Sequence, residues 1–312
     1  MHVLVTGATG YIGHAVVAEL TAAGHEVTGL VRSDEKAAAV RALGARAAVA
    51  DLKEPQSYRA LAAEHDALIH TAFESSRQGV AADRTAVETL LAASDASGAA
   101  GAGRMKSLVY TSGIWVLGAA GDSPAFEDAP TDRAAALVAW RPAHERLVLE
   151  AGTAQLATAV VRPGIVWGGR GGLTASYFET AEREGAAAFV GDGSNRVAMI
   201  HVGDLARFFR LLVEQQGRGI FHAVDGAAVR LAELARAASE AAGAQGRTRS
   251  IPLAAARQEM GPFADALALD QVVASRRGVE LGWRPLHPSF VAAAAEAYRE
   301  WKSSRAGVSR AG

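Results

Sequence analysis

The sequence predicts an α/β protein in which a doubly wound parallel sheet precedes a smaller C-terminal lobe. Short apolar runs alternate with amphipathic, alanine-rich stretches through the first half of the chain. A glycine-rich segment follows the first apolar run directly, and after Gly164 the alternation gives way to glycine-rich loops. Strand and helix alternation at this spacing is typical of a parallel sheet that helices cover on both faces.

The elements of the first half follow from this alternation. Short apolar runs predict strands at residues 2–5, 26–31, 47–50, 67–71, 106–111 and 159–162. Between them, apolar residues that recur every three or four positions predict helices at residues 12–23, 34–43, 55–64, 81–97 and 134–152.

The second half is less regular. It predicts helices at 177–184 and 205–213, a strand at 220–224 and a proline-interrupted helical tail from Leu231 onward. We therefore predict a cofactor domain formed by residues 1–163, to which residues 197–225 return. The predicted substrate-binding lobe consists of residues 164–196 and 226–312.

Composition excludes several classes of protein. The 312 residues are 50% hydrophobic and 21% charged, as in a globular chain with a sizeable core. A net charge of -1 argues against a nucleic-acid partner. The chain has no cysteine, which removes thiolate metal sites and fits a reducing compartment. No apolar run is long enough for a membrane helix, and no histidine pair has metal-binding spacing. The sequence thus predicts a cytoplasmic protein, monomeric or homodimeric, without metal.

The strongest motif is a glycine turn directly after the first predicted strand. Its residues are Thr6-Gly7-Ala8-Thr9-Gly10-Tyr11-Ile12-Gly13, and a predicted helix follows. Glycines at such a turn let the backbone approach a pyrophosphate, and the helix N-terminus favours negative charge there. We therefore predict a Rossmann-type domain whose cofactor-binding residues include Gly7, Thr9, Gly10, Tyr11, Ile12 and Gly13.

The end of the second predicted strand indicates which dinucleotide binds. An NAD-binding domain usually has an acidic residue here for the ribose 2′-hydroxyl, but this chain has Arg32 and Ser33, with Lys36 one turn later. A guanidinium suits a 2′-phosphate, so we predict NADP(H). The alternative is that Arg32 is a solvated charge and Asp34 binds the ribose.

With these motifs in order, the chain resembles the extended and atypical short-chain dehydrogenase/reductases, specifically their epimerase/dehydratase-like branch. Further matching segments are Ala50-Asp51-Leu52, Thr71-Ala72, the segment from Val161 to Gly168, the segment from His201 to Ala206, and Leu281-Gly282-Trp283-Arg284-Pro285. The resemblance implies that Asp51 and Leu52 face the adenine and that Thr71, Ala72 and Phe73 line the cofactor. It also implies that Pro163, Gly164 and Ile165 hold the nicotinamide end. For Arg162 and the segment from His201 to Asp204 we favour a structural role.

The chain departs from this family at the catalytic acid. Family members usually pair a Tyr with a Lys four residues later, whereas the matching positions here are Leu137 and Arg141. Candidate catalytic residues are therefore Ser112 and Thr111, which could hydrogen-bond a carbonyl. Arg141 could hold the nicotinamide ribose or stabilise an oxyanion.

Two proton sources remain open: a histidine such as His70, His144 or His222, or a hydroxyl of the substrate itself. The second fits a resemblance to polyketide ketoreductases that lack the Tyr. Candidate substrate-binding residues are Trp115, Trp167, Tyr177, Phe178 and His222, with Phe73 and Phe189 as further aromatic side chains; the alternative is an ordinary core.

We therefore expect an NADPH-dependent ketoreductase. Its expected substrate is a small-molecule ketone with a bulky hydrophobic skeleton, such as an aromatic polyketide. Two alternatives stay open. One is a non-catalytic NADP(H)-binding redox sensor, and the other is a sugar-nucleotide epimerase or dehydratase, for which the missing Tyr and Lys are unfavourable.

Overall fold

The computed structural model describes residues 1–95 and 105–309. Its strands are β1 (His2–Thr6), β2 (Glu26–Val31), β3 (Arg46–Val49), β4 (Ala67–His70), β5 (Lys106–Thr111), β6 (Leu156–Pro163), β7 (Ile165–Trp167), β8 (Ala187–Val190), β9 (Arg196–His201), β10 (Gly219–Ala223), β11 (Ala228–Arg230) and β12 (Thr248–Ile251). Its α-helices are α1 (Tyr11–Ala22), α2 (Asp34–Arg41), α3 (Arg59–Ala63), α4 (Gly79–Asp95), α5 (Arg141–Glu150), α6 (Ala175–Glu184), α7 (Val202–Glu214), α8 (Leu231–Ala241), α9 (Leu253–Met260), α10 (Pro262–Leu267), α11 (Arg277–Glu280) and α12 (Phe290–Ser309).

The chain divides into two compact units. The first consists of Met1–Ser112, Trp140–Arg162 and Leu205–Phe221. The second consists of Gly113–Ala139, Pro163–Asp204 and His222–Gly312. Among the described residues, none of the helices has the length and apolar character needed to cross a lipid bilayer.

The first unit is built on the sheet that the sequence predicts. The strand order is β10-β6-β5-β4-β1-β2-β3, and every pairing from β3 to β6 is parallel. At the centre, Val5 of β1 lies opposite Gly29 of β2 and Ile69 of β4. Because β1 is flanked on both edges and covered on both faces, Val3, Leu4 and Val5 are fully buried. The predicted α/β fold class is confirmed.

Two helix predictions in this unit need correction. The predicted helix at 134–152 is an α-helix only at Arg141–Glu150, with a separate 3-10 turn at Ala136–Val138. Pro142 explains the late start, because proline is tolerated in the first helical turn and disfavours helical conformation before it. The helix predicted at 55–64 is a 3-10 turn at Pro55–Ser57 followed by α3. The last residues of the helix predicted at 81–97 lie outside the described residues, as do residues 310–312 of the predicted lobe.

The second unit contains short strands that the sequence does not predict. Strands β11, β9 and β7 form a three-stranded sheet, and β12 pairs with β8 in parallel. Helices α6, α8 and α12 contribute side chains to an apolar core that includes Trp167, Phe178, Phe290 and Trp301.

The boundaries of the units differ from the predicted domains at residues 113–139, 163, 197–204 and 222–225, all of which lie in the second unit. Residues 113–139 lie in the second unit because their backbone is paired there: Ala120 N–H donates to the Asp270 carbonyl and Ala125 N–H to that of Val272. The buried Gln271 amide also donates to the carbonyls of Ile114 and Gly118. Residues 197–204 lie in the second unit because β9 pairs with β7 and β11.

In the first unit, a buried ion pair joins helix α5 to strand β6 of the sheet. The Nε and Nη2 atoms of Arg162 donate to the two carboxylate oxygens of Glu145, at 3.0 and 2.6 Å. Both side chains are almost fully buried. A structural role for Arg162, which the sequence favoured, is what this geometry supports.

We expect Glu145→Gln to lower the free energy of unfolding by about 3 kcal/mol, because Arg162 would keep its charge in the interior without a counter-charge. Urea unfolding measures this. The matched control is Glu88→Gln, which removes the exposed partner of Arg84 one helical turn away and should cost less than about 0.5 kcal/mol. Equal effects of the two substitutions would contradict this interpretation of the ion pair.

Candidate cofactor and active site

A cleft of about 560 Å³ opens in the first unit where the parallel strands end. Its walls come from the glycine turn after β1 and from the segments that follow β2, β3 and β4. The carboxyl ends of the strands in an open α/β sheet are the place where such folds bind ligands. The cleft is therefore the candidate cofactor site.

Two glycines of the turn, Gly7 and Gly13, are packed so closely that neither position has room for a side chain. A Cβ atom on Gly13 would lie 2.2 Å from the Gly7 carbonyl oxygen. Gly7 has φ +68°, and a Cβ there would lie 2.7 Å from the Cα atom of Ala72. A Cβ on Gly10, in contrast, would meet only the Gly7 oxygen at 3.0 Å, and Gly10 is exposed in the cleft. The turn therefore offers bare backbone at the first turn of α1, which fits the pyrophosphate of a dinucleotide.

Positive charge collects where β2 ends. Arg32 and Lys36 line the cleft together with Lys53. The Arg32 side chain is 68% exposed, and its Nη1 atom lies 4.0 Å from a carboxylate oxygen of Glu74. Hydrogen bonds from Ser76 and Lys53 lower the pKa of Glu74, so this carboxylate is an anion that partly offsets the cations.

A buried polar network borders the cleft and centres on Asp83, a residue of α4 that lines the cleft. The Oδ2 atom of Asp83 lies 2.7 Å from Nδ1 of His144 and accepts a hydrogen bond from the Tyr110 hydroxyl at 2.9 Å. Its Oδ1 atom lies 3.4 Å from Nε2 of His70. The Nδ1 atom of His70 in turn lies 2.7 Å from the Thr6 hydroxyl. The network thus connects the end of β1 with β4, β5, α4 and α5.

Asp83 is ionised in this network. Burial alone would raise the pKa of Asp83, but hydrogen bonds from His144 and His70 outweigh burial and hold the pKa well below its usual range. Because an ionised carboxylate can only accept hydrogen bonds, both histidines direct a ring N–H at it. These histidines are therefore held by Asp83.

Arg141 connects this network to a group of aromatic side chains. Its Nη1 atom donates to the Tyr110 hydroxyl at 3.2 Å and to the Thr111 carbonyl at 2.9 Å. Its guanidinium carbon lies 4.5 Å from the Trp140 ring centroid and 5.2 Å from that of Phe73. The Phe73 and Trp140 rings are stacked on each other at 5.4 Å.

Two buried hydroxyls lie at the end of β5 beside the Arg141 contact. Neither the Thr111 Oγ1 atom nor the Ser112 Oγ atom has a hydrogen-bond partner within the described part of the chain. A buried hydroxyl without a partner has a free energy cost, so both could donate to an oxygen of a ligand.

Comparison with known proteins identifies the fold. The sequence pattern of the NAD dependent epimerase/dehydratase family matches residues 3–223. The chain belongs to this family. The resemblance predicted from the motifs is thereby confirmed, and the chain has the fold of an NAD(P)-dependent oxidoreductase of the epimerase/dehydratase family.

Two curated relatives carry the names of reductases. The 3-diazoavenalumate denitrifying reductase of Streptomyces sp is 31% identical over 308 residues, which cover 93% of this chain and 98% of the relative. The 4-hydroxy-2-methyl-3-oxo-4-farnesyl-3,4-dihydroquinoline-1-oxide ketoreductase of Stigmatella aurantiaca is 30% identical over 268 residues, which cover 82% and 78%.

Solved structures of the same fold contain both nicotinamide cofactors. The human epimerase family protein SDR39U1, solved with NADPH, superposes with a TM-score of 0.77 and 25% identity over 96% of this chain and 99% of its own. The UDP-glucose 4-epimerase of Thermus thermophilus, complexed with NAD, superposes with a TM-score of 0.79 and 22% identity over 97% and 100%. The latter is a likeness of fold alone.

Most predicted cofactor residues of this epimerase/dehydratase-family chain line the cleft. They are Gly7, Thr9, Gly10, Tyr11, Ile12, Arg32, Lys36, Asp51, Leu52, Thr71, Ala72 and Phe73. Gly13 is buried behind the turn, and Ser33 precedes α2 without capping it through its side chain. Pro163, Gly164 and Ile165 belong to the second unit. The role of each residue toward the cofactor stays a prediction.

The tyrosine nearest to Arg141 is not a replacement for the family's acid. Tyr110 is fully buried, and burial raises the pKa of its hydroxyl far above the usual range. The charge of nearby Arg141 lowers this pKa but offsets only part of the rise. Its hydroxyl donates to Asp83. Leu137, at the position of the family's Tyr, is 40% exposed in the second unit. Neither side chain could protonate a carbonyl oxygen.

The aromatic residues predicted to bind substrate are mostly part of the second unit's core. Trp167, Tyr177, Phe178 and Phe189 are buried there together. Burial raises the pKa of the Tyr177 hydroxyl well above its usual range. Trp115 is half-buried against Phe263. His222 is fully buried, with Nδ1 3.0 Å from the Ala274 carbonyl oxygen. A fully buried ring such as Phe178 offers no surface to a ligand, so for these side chains the alternative of an ordinary core fits better.

The second unit also contains one His-Asp-His cluster with ligand atoms within 4.8 Å of one another: His201, Asp204 and His287. Its atoms already hydrogen-bond within the protein. Nδ1 of His201 accepts from the Gly203 N–H, and Asp204 accepts from the backbone N–H groups of Leu286 and His287. Burial, with the stacked His287 ring, lowers the pKa of His201 to about 4. We therefore interpret the cluster as structural, and absence of a metal stays a prediction.

Asp83, Tyr110 and Trp140 are not among the site residues that the sequence predicts. Asp83 had a detectable signal, because it occupies the same helical face as the buried residues Ala86, Val87 and Leu90. A carboxylate at a core position is rarely tolerated without partners, and it is a frequent mark of a functional site.

We expect Asp83→Asn to lower the free energy of unfolding at pH 7 by about 3 kcal/mol, because the neutral amide cannot accept from three donors as a carboxylate does. Since the folded pKa is depressed, this stabilisation is complete above the unfolded pKa of about 4 and is lost as the pH falls below it. Urea unfolding of both proteins from pH 7 downward measures the difference.

The matched control is Asp132→Asn, which changes an exposed carboxylate and should cost less than about 0.5 kcal/mol at every pH. A deficit of Asp83→Asn that stays the same at pH 7 and at pH 3 would contradict an ionised Asp83.

Proposed function

We propose that this protein is an NADPH-dependent ketone reductase. Its substrate is a small-molecule ketone with a bulky hydrophobic skeleton, with aromatic polyketides as the favoured class. The observation that carries the proposal is the cleft of the first unit, which combines the glycine turn with two cations, Arg32 and Lys36, beside the end of β2. The ketoreductase and reductase names of two relatives near 30% identity support reduction as the direction of the chemistry.

The cations support NADPH over NADH. A 2′-phosphate carries up to two negative charges, and a guanidinium can donate two parallel hydrogen bonds to it. Glu74 lies 4.0 Å from Arg32 and forms a closer ion pair with Lys53, at 3.1 Å. In this proposal Lys53 neutralises Glu74, which leaves Arg32 and Lys36 for the phosphate.

The hydrogen bonds inside the first unit favour the hypothesis that the substrate supplies the proton. Tyr110, His70 and His144 all hydrogen-bond to the Asp83 carboxylate. When bound, the reduced nicotinamide supplies the hydride for the carbonyl carbon. The alkoxide oxygen then takes the proton of a phenolic hydroxyl adjacent to the ketone, and water reprotonates the phenolate. Thr111 and Ser112 could donate hydrogen bonds to the carbonyl oxygen, and Arg141 could stabilise the anion.

A second candidate is a sensor that binds NADPH without turnover. It is favoured by one observation, namely that His70, Tyr110 and His144 all hydrogen-bond to the Asp83 carboxylate. A sensor would bind NADPH and would not oxidise it, whichever ketone is added. The epimerase or dehydratase alternative receives no such support, because the chain lacks the Tyr and Lys that those reactions use in this family.

We expect Arg32→Ala to weaken NADPH binding about 10-fold or more and to change NADH binding less than about 2-fold, because only the phosphate loses a charged partner. Calorimetric titration of both cofactors measures this. The matched control is Arg46→Ala, since Arg46 is also an exposed arginine 4.0 Å from a glutamate but lies outside the cleft. Equal loss of NADPH and NADH affinity in Arg32→Ala would count against NADP(H) specificity.

We expect 8-hydroxy-1-tetralone to be reduced at least about 100-fold faster than 8-methoxy-1-tetralone, because the methoxy group removes the only nearby proton. Single-turnover oxidation of NADPH, followed by its absorbance, measures both rates. Equal rates would show that the protein supplies the proton. Tight NADPH binding without oxidation by any ketone would favour the sensor instead.

A further inference from the structure

Phe73, Trp140 and Arg141 form one continuous surface of planar groups in the first unit, which we name the aromatic platform. The two rings are nearly parallel, with an angle of 16° between them, and the guanidinium lies over both. Trp140 is also packed edge-on against His144, at 4.8 Å between centroids. Since His144 is held by Asp83, the platform rests on the rigid buried network.

The platform has an exposed side. Phe73 is 47% exposed and lines the cleft, although a phenylalanine in a folded protein is usually buried. An aromatic ring that is partly exposed in a cleft can hold a second flat ring against its open surface. The exposed ring therefore points to a ligand with an aromatic face.

Arg141 can add a polar contact to this ring stack. Both of its hydrogen bonds within the described chain leave from Nη1, so its Nε and Nη2 atoms can still donate. The unpartnered hydroxyls of Thr111 and Ser112 lie at the same strand end. A ligand that satisfies these donors has an oxygen, as a ketone or a phenolate, on the edge of its aromatic ring.

We propose that the aromatic platform is the substrate-binding surface and that it selects aryl ketones, with the ring stacked on Phe73 and an oxygen at Arg141. The inference rests on the proposed reductase function and names the substrate class of that site. It moves substrate recognition from the buried aromatic residues of the second unit to three residues of the first, and it assigns Phe73, which the family resemblance places beside the cofactor, to the substrate instead.

The test compares two bicyclic ketones that share a carbon skeleton and differ in aromaticity. Calorimetry measures 1-tetralone, which has an aromatic ring, and the saturated 1-decalone, each with the NADP⁺-loaded full-length protein. Because stacking favours only the aromatic ring, we expect 1-tetralone to bind about 2- to 10-fold more tightly. Phe73→Leu and Trp140→Leu should bring this ratio close to one, and Phe73→Tyr should restore it.

The matched control is Phe126→Leu, which removes a different ring over which an arginine, Arg276, is stacked at 4.3 Å. It should leave the ratio of the two affinities unchanged. Arg141→Gln should reduce any preference for 8-hydroxy-1-tetralone over 1-tetralone, because a neutral amide donates a weaker hydrogen bond to the oxygens of the ligand than a guanidinium does. NADP⁺ affinity is measured for each variant, so that a misfolded protein is recognised.

Two results would overturn the platform. One is an unchanged ratio in Phe73→Leu and Trp140→Leu. The other is a loss of NADP⁺ affinity of 10-fold or more in these variants with the ratio retained, which would assign the rings to the nicotinamide. If the ratio responds as expected while no ketone oxidises NADPH, the platform stands and the reductase function fails.

Discussion

The ionised carboxylate of Asp83 is the interaction on which the candidate site depends. An unpaired charge in the interior of a protein is so costly that its neighbours must supply hydrogen bonds with good geometry. Here the donors come from β4, β5 and α5, through His70, Tyr110 and His144. Because these elements must all reach one carboxylate, the end of β5 and the first turn of α5 are fixed relative to each other. Arg141, which donates to the same strand end, inherits that rigidity.

Much of the first unit could be predicted because its signals are local. Glycine is needed where a strand meets a helix this closely. A Cβ atom on Gly13 would lie 2.2 Å from the Gly7 carbonyl oxygen, so no other residue fits that position. Strands such as Glu26–Val31 and Lys106–Thr111 contain short apolar runs and are buried along nearly their whole length, which is typical of parallel sheets. The cleft residues follow from these elements, since parallel strands end at one edge of the sheet.

The rest could not be predicted because it depends on tertiary partners. Strands β7 and β11 are three residues long and exist only as partners of β9, so no local pattern marks them. Trp167 and Phe178 look alike in sequence whether they face a ligand or a core, and only packing decides. Trp140 and Phe73 are far apart in sequence, so no local pattern marks the stacking of their rings.

An arginine at position 141 limits the chemistry of the site. A lysine can lower the pKa of a neighbouring acid and can itself exchange a proton, whereas a guanidinium stays protonated at any physiological pH. A guanidinium is also planar, so it can lie over Phe73 and Trp140 while it donates to the Thr111 carbonyl. A lysine could make the hydrogen bond but not the stack. In the proposed reductase, Arg141 therefore stands where the family has a group suited to proton transfer, and it is suited instead to holding an anion beside aromatic rings.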